Sequence, residues 1–88
     1  RLVAQQKDGS FLVRGSISVR DLGRITDWKL PTDGPKTLSG LLIEHLEMIP
    51  RQGICCRIAG YPMEVIQVSG NTVQVEHVWP ELYRKFDG

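Results

Sequence analysis

Apolar residues recur every three or four positions in one segment of the chain, between Thr37 and Pro50. This spacing places them along a single face of an α-helix. The predicted stripe consists of Leu38, Leu41, Leu42, Leu46 and Ile49. The hydroxyl of Thr37 can accept a hydrogen bond from the N–H groups of the first turn, and Pro50 and Gly53 favour the end of the helix. The pattern therefore predicts the main helix of the protein between Thr37 and Pro50.

After this helix, apolar and polar residues alternate, which is the pattern of strands with one buried face. Three such runs cover residues 54–59, 63–68 and 72–79, and turn-forming sequences separate them at 60–62 and 69–71. In the last run, strict alternation places four residues on one face: Val73, Val75, His77 and Trp79. The predicted core sets the helical stripe against Ile54, Ile58, Val73 and Val75.

Two short strands and a short helix are predicted ahead of the main helix. Residues 2–5 and 11–14 flank an Asp-Gly turn at Asp8, so they are expected to form a β-hairpin. Ser18 stands where a helix N-cap belongs, and the short helix that follows is expected to bury one stripe: Val19, Leu22 and Ile25. The element order β-β-α-α-β-β-β predicts an α+β fold, with a small mixed or antiparallel sheet of about five strands and both helices on one face.

The composition of the chain is typical of a globular domain. The chain has 88 residues, 41% apolar and 24% charged, with a net charge of +1, which fits one globular domain spanning residues 1–88 with a tail at 80–88. This charge and the scattered Lys and Arg residues argue against a nucleic-acid partner. No apolar run approaches the length of a membrane span, so direct membrane insertion is not expected. Because the chain begins at Arg1 instead of Met, we expect it to be a fragment of a longer protein.

Several short sequences, in order, resemble one known family. They are Asp8-Gly9-Ser10 with residues 11–15, Arg20-Asp21-Leu22, Leu30-Pro31, Thr37-Leu38-Ser39-Gly40-Leu41, Ile49-Pro50, and Gly60-Tyr61 with Glu64-Val65. Their order and spacing resemble the CorC/HlyC transporter-associated domain, the C-terminal module of membrane proteins linked to divalent-cation transport. The segment 30–40 is especially similar to the branch known as magnesium and cobalt efflux proteins.

The resemblance implies a function that the residues alone do not. Proteins of this family carry a membrane domain and a pair of nucleotide-binding CBS modules, so both are expected as partners, as is a second copy of the chain. The resemblance implies a non-enzymatic, regulatory domain at the cytoplasmic face of the inner membrane. The alternative is a domain that senses a nucleotide, a flavin or a divalent cation. The fold is likened to one half of a flavin-binding fold, but the larger second half is missing here, and no cofactor is expected.

Four residues are candidates for binding a metal ion. His45 at the edge of the helical stripe and His77 on a strand face would form a pair if they converged, although such histidines are more often packed or solvated. Asp27 and Asp33 flank a loop and offer carboxylate oxygens to a hard cation, but two carboxylates make an incomplete shell. No serine or cysteine stands beside a base in a recognisable catalytic motif, so an enzyme is not expected.

The tail after Pro80 is a candidate interface. Pro80 prevents the last strand from continuing, yet large apolar groups surround it: Trp79, Leu82, Tyr83 and Phe86. They either fold back to cover the core or form a contact surface for another copy or for the CBS modules. The sequence leaves both interpretations open.

Cys55 and Cys56 are adjacent, so in a strand their side chains point to opposite faces and a disulfide between them is not expected. Cys56 shares parity with Ile54 and Ile58 and is expected to be buried, and Cys55 to be accessible.

Overall fold

A five-stranded antiparallel sheet is the centre of the computed structural model, which describes residues 1–85. The strands lie in the order β1-β2-β5-β4-β3, so the first and third strands form the two edges. The elements are β1 (Val3–Gln5), β2 (Phe11–Arg14), α1 (Val19–Thr26), α2 (Leu38–Leu46), β3 (Cys55–Ile58), β4 (Tyr61–Ser69), β5 (Thr72–Val78) and a short 3-10 helix (Pro80–Leu82). The predicted α+β class and element order are confirmed.

Both helices begin at the predicted caps. The hydroxyl of Ser18 accepts a hydrogen bond from the N–H of Asp21 at 3.0 Å, and that of Thr37 accepts one from the N–H of Gly40 at 3.1 Å. Each cap satisfies a first-turn donor that has no partner within its own helix. The two helices therefore start where the sequence places a short polar side chain.

The predicted end of α2 was wrong. Glu47 adopts a left-handed conformation with φ 55°, and its N–H bonds to the carbonyl of Ile43, which closes the helix after Leu46. The chain turns before the fifth member of the predicted stripe, so Ile49 is 68% exposed.

The predicted stripe of α1 was also wrong at its last position, since Ile25 is 59% exposed. Steps of three residues drift around a helix with 3.6 residues per turn. The drift carries Ile25 away from the face on which Val19 and Leu22 are buried.

The face predicted for β5 was wrong as well. Two successive register shifts separate the pairs Val65–Glu76 and Val68–Val73, and Ile66 of β4 and Gln74 of β5 have no partner in the register of this hairpin. Side-chain parity therefore slips, and Glu76 and Val78 join Val73 on the buried face.

The other three residues of that prediction lie on the outer face of the sheet. Val75 lines a shallow hollow there with Ala4 and Leu12, and His77 stacks on Trp79.

One core lies between the sheet and the two helices. The apolar side chains buried in it include Val13, Val19, Leu22, Leu38, Leu41, Leu42, Ile58, Met63, Val65, Val73 and Val78. Of the strand residues predicted for the core, Ile58 and Val73 are buried and Ile54 packs partly against it. Trp28 covers one end of this core, with its ring 5.3 Å from Phe11 and 5.5 Å from Tyr61.

The start of α2 is fixed against β5 by Gly15 and Ser39. The Ser39 N–H donates to the Gly15 carbonyl at 2.9 Å, and the buried Ser39 hydroxyl accepts from the Val73 N–H at the same distance. A Cβ atom at Gly15 would collide with the carbonyl of Val73. Glycine is therefore the residue that allows helix and sheet to approach this closely.

Candidate functional site

A large cleft lies where α1, the segment after it, α2 and the β3–β4 turn meet. It is open to solvent and has a volume of about 810 Å³. Its floor is apolar and includes the buried Leu30 and Ile58, whereas its rim carries charged or titratable groups: Arg20, Lys29, Glu44 and His45. An apolar floor with a few polar groups around it is typical of a small-ligand site. His45, one of the predicted metal candidates, is exposed on this rim.

The two predicted aspartates are not in this cleft's lining. Asp27 ends α1 in a left-handed conformation, and its carboxylate lies 3.4 Å from the Lys29 ammonium, with both side chains highly exposed. Asp33 is exposed in the loop before α2 and lines a smaller cleft. Within residues 1–85, no three His, Cys, Asp or Glu side chains are grouped so that they could hold a metal ion.

His77 is held on the outer face of the sheet, away from His45. Its Nε2 atom lies 2.7 Å from the Ser10 hydroxyl, which in turn donates to the Asp8 carboxylate at 2.6 Å. Because a serine hydroxyl has one proton and a carboxylate only accepts, this chain requires His77 to donate through Nε2–H. The two predicted histidines therefore do not converge, since α2 packs on the opposite face of the sheet from His77.

The hydrogen bonds that link Asp8, Ser10 and His77 have a structural role. The hydroxyl of Ser10 and then its backbone N–H donate to Asp8, and these hydrogen bonds lower the pKa of that carboxyl. Ser10 is 0% exposed, so its oxygen is not presented to a substrate in solution. The arrangement ties the β1–β2 turn to β5. The Asp-Gly-Ser sequence predicted the turn, but nothing in it indicated the partner in β5.

The tail is ordered by polar contacts with the β3–β4 turn. Arg57 donates to the carbonyls of Gly60 at 2.9 Å and Leu82 at 3.1 Å, and the N–H of Arg84 donates to the carbonyl of Gly60 at 2.9 Å. The ring of Tyr83 lies 4.7 Å from that of Tyr61. The tail thus packs on the end of the sheet at residues 80–84.

Packing leaves much of the tail exposed. Tyr83 is 46% and Leu82 58% exposed, while Trp79 is half-buried in its stack on His77, with ring centres 4.0 Å apart. Phe86, the fourth predicted interface residue, lies outside the described residues. Tyr83 therefore fits both predicted roles of the tail, as a cover for the core and as a contact surface, because one part of its ring covers Tyr61 and the rest faces solvent.

Glu76 is a buried acid that the sequence analysis missed. It is 0% exposed, and neither carboxylate oxygen has a hydrogen-bond partner among residues 1–85. Burial, and to a smaller extent the nearby Glu64, raises the pKa of Glu76 to about 8. Strict alternation along β5 had placed this residue on the outer face.

Cys55 and Cys56 differ in exposure, as their alternate positions along β3 predict. Cys55 is exposed, whereas Cys56 is half-buried against the core, and burial raises the pKa of its thiol to about 11. The thiolate is the reactive form, so we expect iodoacetamide at pH 8 to label Cys55 quickly and Cys56 slowly in the native protein. Peptide mass spectrometry over time measures both rates. Equal fast labelling would contradict the orientation of β3.

Comparison with known proteins identifies the family. The profile of the transporter-associated domain family, CorC/HlyC, matches residues 4–78. A UPF0053 protein of Haemophilus influenzae is 40% identical over 72 residues, which cover 82% of this chain and 17% of that protein. The UPF0053 inner membrane protein YfjD of Escherichia coli is 35% identical over 78 residues, or 89% of this chain and 18% of its own length.

Solved structures agree with the fold. A conserved protein of unknown function from Haemophilus influenzae superimposes with a TM-score of 0.84 at 38% identity, covering 88% of this chain and 95% of that one. A CorC/HlyC domain from Nitrosomonas europaea gives 0.81 at 26% identity, covering 90% and 95%. The chain spans less than a fifth of the length of the two curated relatives described above. It belongs to the CorC/HlyC family of transporter-associated domains.

Proposed function

We propose that this domain is a non-enzymatic accessory module of a membrane protein linked to magnesium or cobalt transport, and that it acts at the cytoplasmic face by pairing with a second copy of itself. Family membership and the inner membrane relative support the setting. One observation supports the mode of action, which is the apolar surface that the tail holds in place. We call Leu82 and Tyr83, with the flanking Glu81, Arg84 and Lys85, the tail surface.

The tail surface is already ordered in the single chain. The hydrogen bonds from Arg57 and Arg84 and the contact of Tyr83 with Tyr61 fix its backbone. A surface that is ordered before binding loses less conformational entropy when a partner arrives. Aromatic and large apolar side chains that are fixed and exposed are typical of the central residues of interfaces.

The charges around the tail surface suit a second copy. Pairing about a two-fold axis brings the same patch of both copies together, so the patch must complement itself. Glu81 on one side and Arg84 and Lys85 on the other are all exposed around Leu82 and Tyr83. Opposite charges on one patch allow each copy to offer an acid to the bases of the other.

The test is sedimentation equilibrium of the wild-type chain and of Leu82→Gln. We expect a reversible dimer whose dissociation constant rises about tenfold or more in the variant, since removing a central apolar contact costs more than about 1.4 kcal/mol. Ile25→Gln is the matched control, because Ile25 is 59% exposed and Leu82 is 58% exposed. A monomeric wild-type chain, or equal weakening in both variants, would contradict pairing through the tail surface.

A second candidate function is the sensing of a cation or small ligand in the large cleft. The cleft places Glu44 and His45 beside Arg20 and Lys29 above an apolar floor. A hemolysin domain from Xylella fastidiosa with the same fold, TM-score 0.79 at 24% identity, was solved in complex with Mg²⁺ and Mn²⁺. Mn²⁺ added to the protein should broaden the NMR signals of the His45 ring and leave those of His77, on the other face of the sheet, unchanged. Equal broadening of both would contradict binding in the cleft.

A further inference from the structure

Glu76 lies buried on the central strand of the sheet, and its side chain is not paired with any polar group that the structure describes. It stands on β5 opposite Val13 of β2 and Val65 of β4, and those two side chains are 1% and 0% exposed. Neither oxygen of its carboxyl receives a hydrogen bond within the described residues. A buried carboxylate without donors is among the most costly groups that a core can hold, whereas the neutral acid is much less so.

We propose that Glu76 is a proton-operated switch, whose protonated form keeps the β4–β5 hairpin closed and whose ionised form opens the hairpin to water. The switch residue lies on β5, the central strand of the sheet. It is independent of the tail surface and of the large cleft, which share none of its residues.

The titratable groups near Glu76 do not stabilise its charge. Glu64 of β4, which pairs with the outward-facing His77, carries the same sign, and Cys56 of β3 is a half-buried thiol. The inward residues of α2 are apolar apart from Ser39, and its hydroxyl already accepts from the backbone of β5. Arg14 of β2 is exposed and forms no ion pair with Glu76. In the part of the chain that the structure describes, an ionised Glu76 therefore has no compensating charge beside it.

The hairpin is irregular next to Glu76. The pairing is regular as far as Val65 and Glu76, and both register shifts follow immediately, between Val65 and Val68 of β4. Bulges leave residues unpaired and locally disrupt a ladder. The ladder between β4 and β5 is therefore interrupted just beyond Val65, and opening of the hairpin there exposes Glu76 to water.

The direction and size of the pH effect follow from proton linkage. In the open form the pKa of Glu76 returns to its ordinary 4.5, whereas in the closed form burial raises it to about 8. The closed form thus binds more protons between these values, so rising pH favours opening across this range and has no further effect above it. The opening constant is expected to rise by up to about tenfold per pH unit.

Two measurements on the whole chain test the switch. The carboxyl carbon of Glu76, observed by ¹³C NMR, should titrate with a midpoint several pH units above that of an exposed glutamate. Amide hydrogen exchange in β4 and β5 beyond Val65, corrected for the intrinsic dependence of exchange on pH, should accelerate by up to about tenfold per pH unit between pH 5 and 7. The α2 amides should change less and serve as the internal reference.

Two variants distinguish the effect of protonating Glu76 from the effects of the other titratable groups. Glu76→Gln should abolish the excess pH dependence of exchange, whereas Glu64→Gln removes a neighbouring acid and should retain it. Identical pH dependence in the wild type and Glu76→Gln would overturn the proposal. If Glu76→Gln does not fold, the ¹³C titration of the wild type decides alone, and an ordinary midpoint between pH 4 and 5 overturns it.

Discussion

Leu42→Ala should destabilise the domain by about 2 to 5 kcal/mol. Leu42 is 0% exposed in the core between α2 and the sheet, so its truncation removes apolar contacts and leaves a cavity. A loss of this size is a large part of the total stability of a small domain, about 5 to 15 kcal/mol. Urea denaturation followed by circular dichroism measures it.

Ile49→Ala is the matched control, because both residues belong to the predicted stripe and only Leu42 is buried. Ile49 is 68% exposed, and its truncation should change the stability by less than about 0.5 kcal/mol. A loss comparable to that of Leu42→Ala would show that α2 continues past Leu46 and buries Ile49.

Gly15→Ala should be nearly as damaging, with a loss of about 3 kcal/mol. The added Cβ would collide with the Val73 carbonyl and would lie 3.3 Å from the Cβ of Ser39. Neither neighbour is the end of a flexible side chain, so the backbone of β5 or the start of α2 must move. That movement strains the hydrogen bond from the Ser39 N–H to the Gly15 carbonyl. Thermal and urea unfolding measure the effect.

Gly34→Ala controls for the loss of a glycine as such. Its nearest neighbour would be a Glu44 carboxylate oxygen at 3.7 Å, an ordinary contact. The stability should change by less than about 0.5 kcal/mol. If the two glycine variants were equally unstable, the close approach of α2 and β5 at Gly15 would not be the cause.

Local patterns predicted the element order and the helix starts. Ser18 and Thr37 begin α1 and α2 because a capping hydroxyl bonds within its own first turn, and that interaction needs no tertiary contact. The end of α2 was missed because Glu47 already adopts a left-handed conformation, ahead of Pro50 and Gly53, which the sequence suggested as the end of the helix. Such a conformation is uncommon outside glycine, so the sequence offered no indication of it.

The interior of the β4–β5 hairpin was harder to predict. Strict alternation assigned Val75, His77 and Trp79 to the face of Val73, whereas the paired register shifts place Glu76 and Val78 there. Bulges depend on cross-strand packing, which a single strand's pattern does not contain. For the same reason, the sequence indicated neither the burial of Glu76 nor the contact between His77 and Ser10, which are 67 residues apart.

The closest approaches within the fold were not predicted from the sequence. A Cβ atom at Gly40 would lie 3.1 Å from the Cβ of Pro35. The tighter approach is at Gly15, which the sequence presents only as the end of a strand. Of the predicted interface residues, Tyr83 and Leu82 are placed by Arg57 and Gly60, and neither contact could be read from the composition of the tail.

The two tryptophans give the chain a pair of intrinsic fluorophores on different faces of the sheet. Trp28 is 8% exposed and packs between Phe11 and Tyr61 at the end of the core, whereas Trp79 stacks on His77 on the outer face. Emission from Trp28 should therefore follow the loss of core packing, and emission from Trp79 should follow changes at the outer face and the start of the tail. Trp79→Phe and Trp28→Phe would each leave a single emitter, so that unfolding and association can be recorded separately with the two variants.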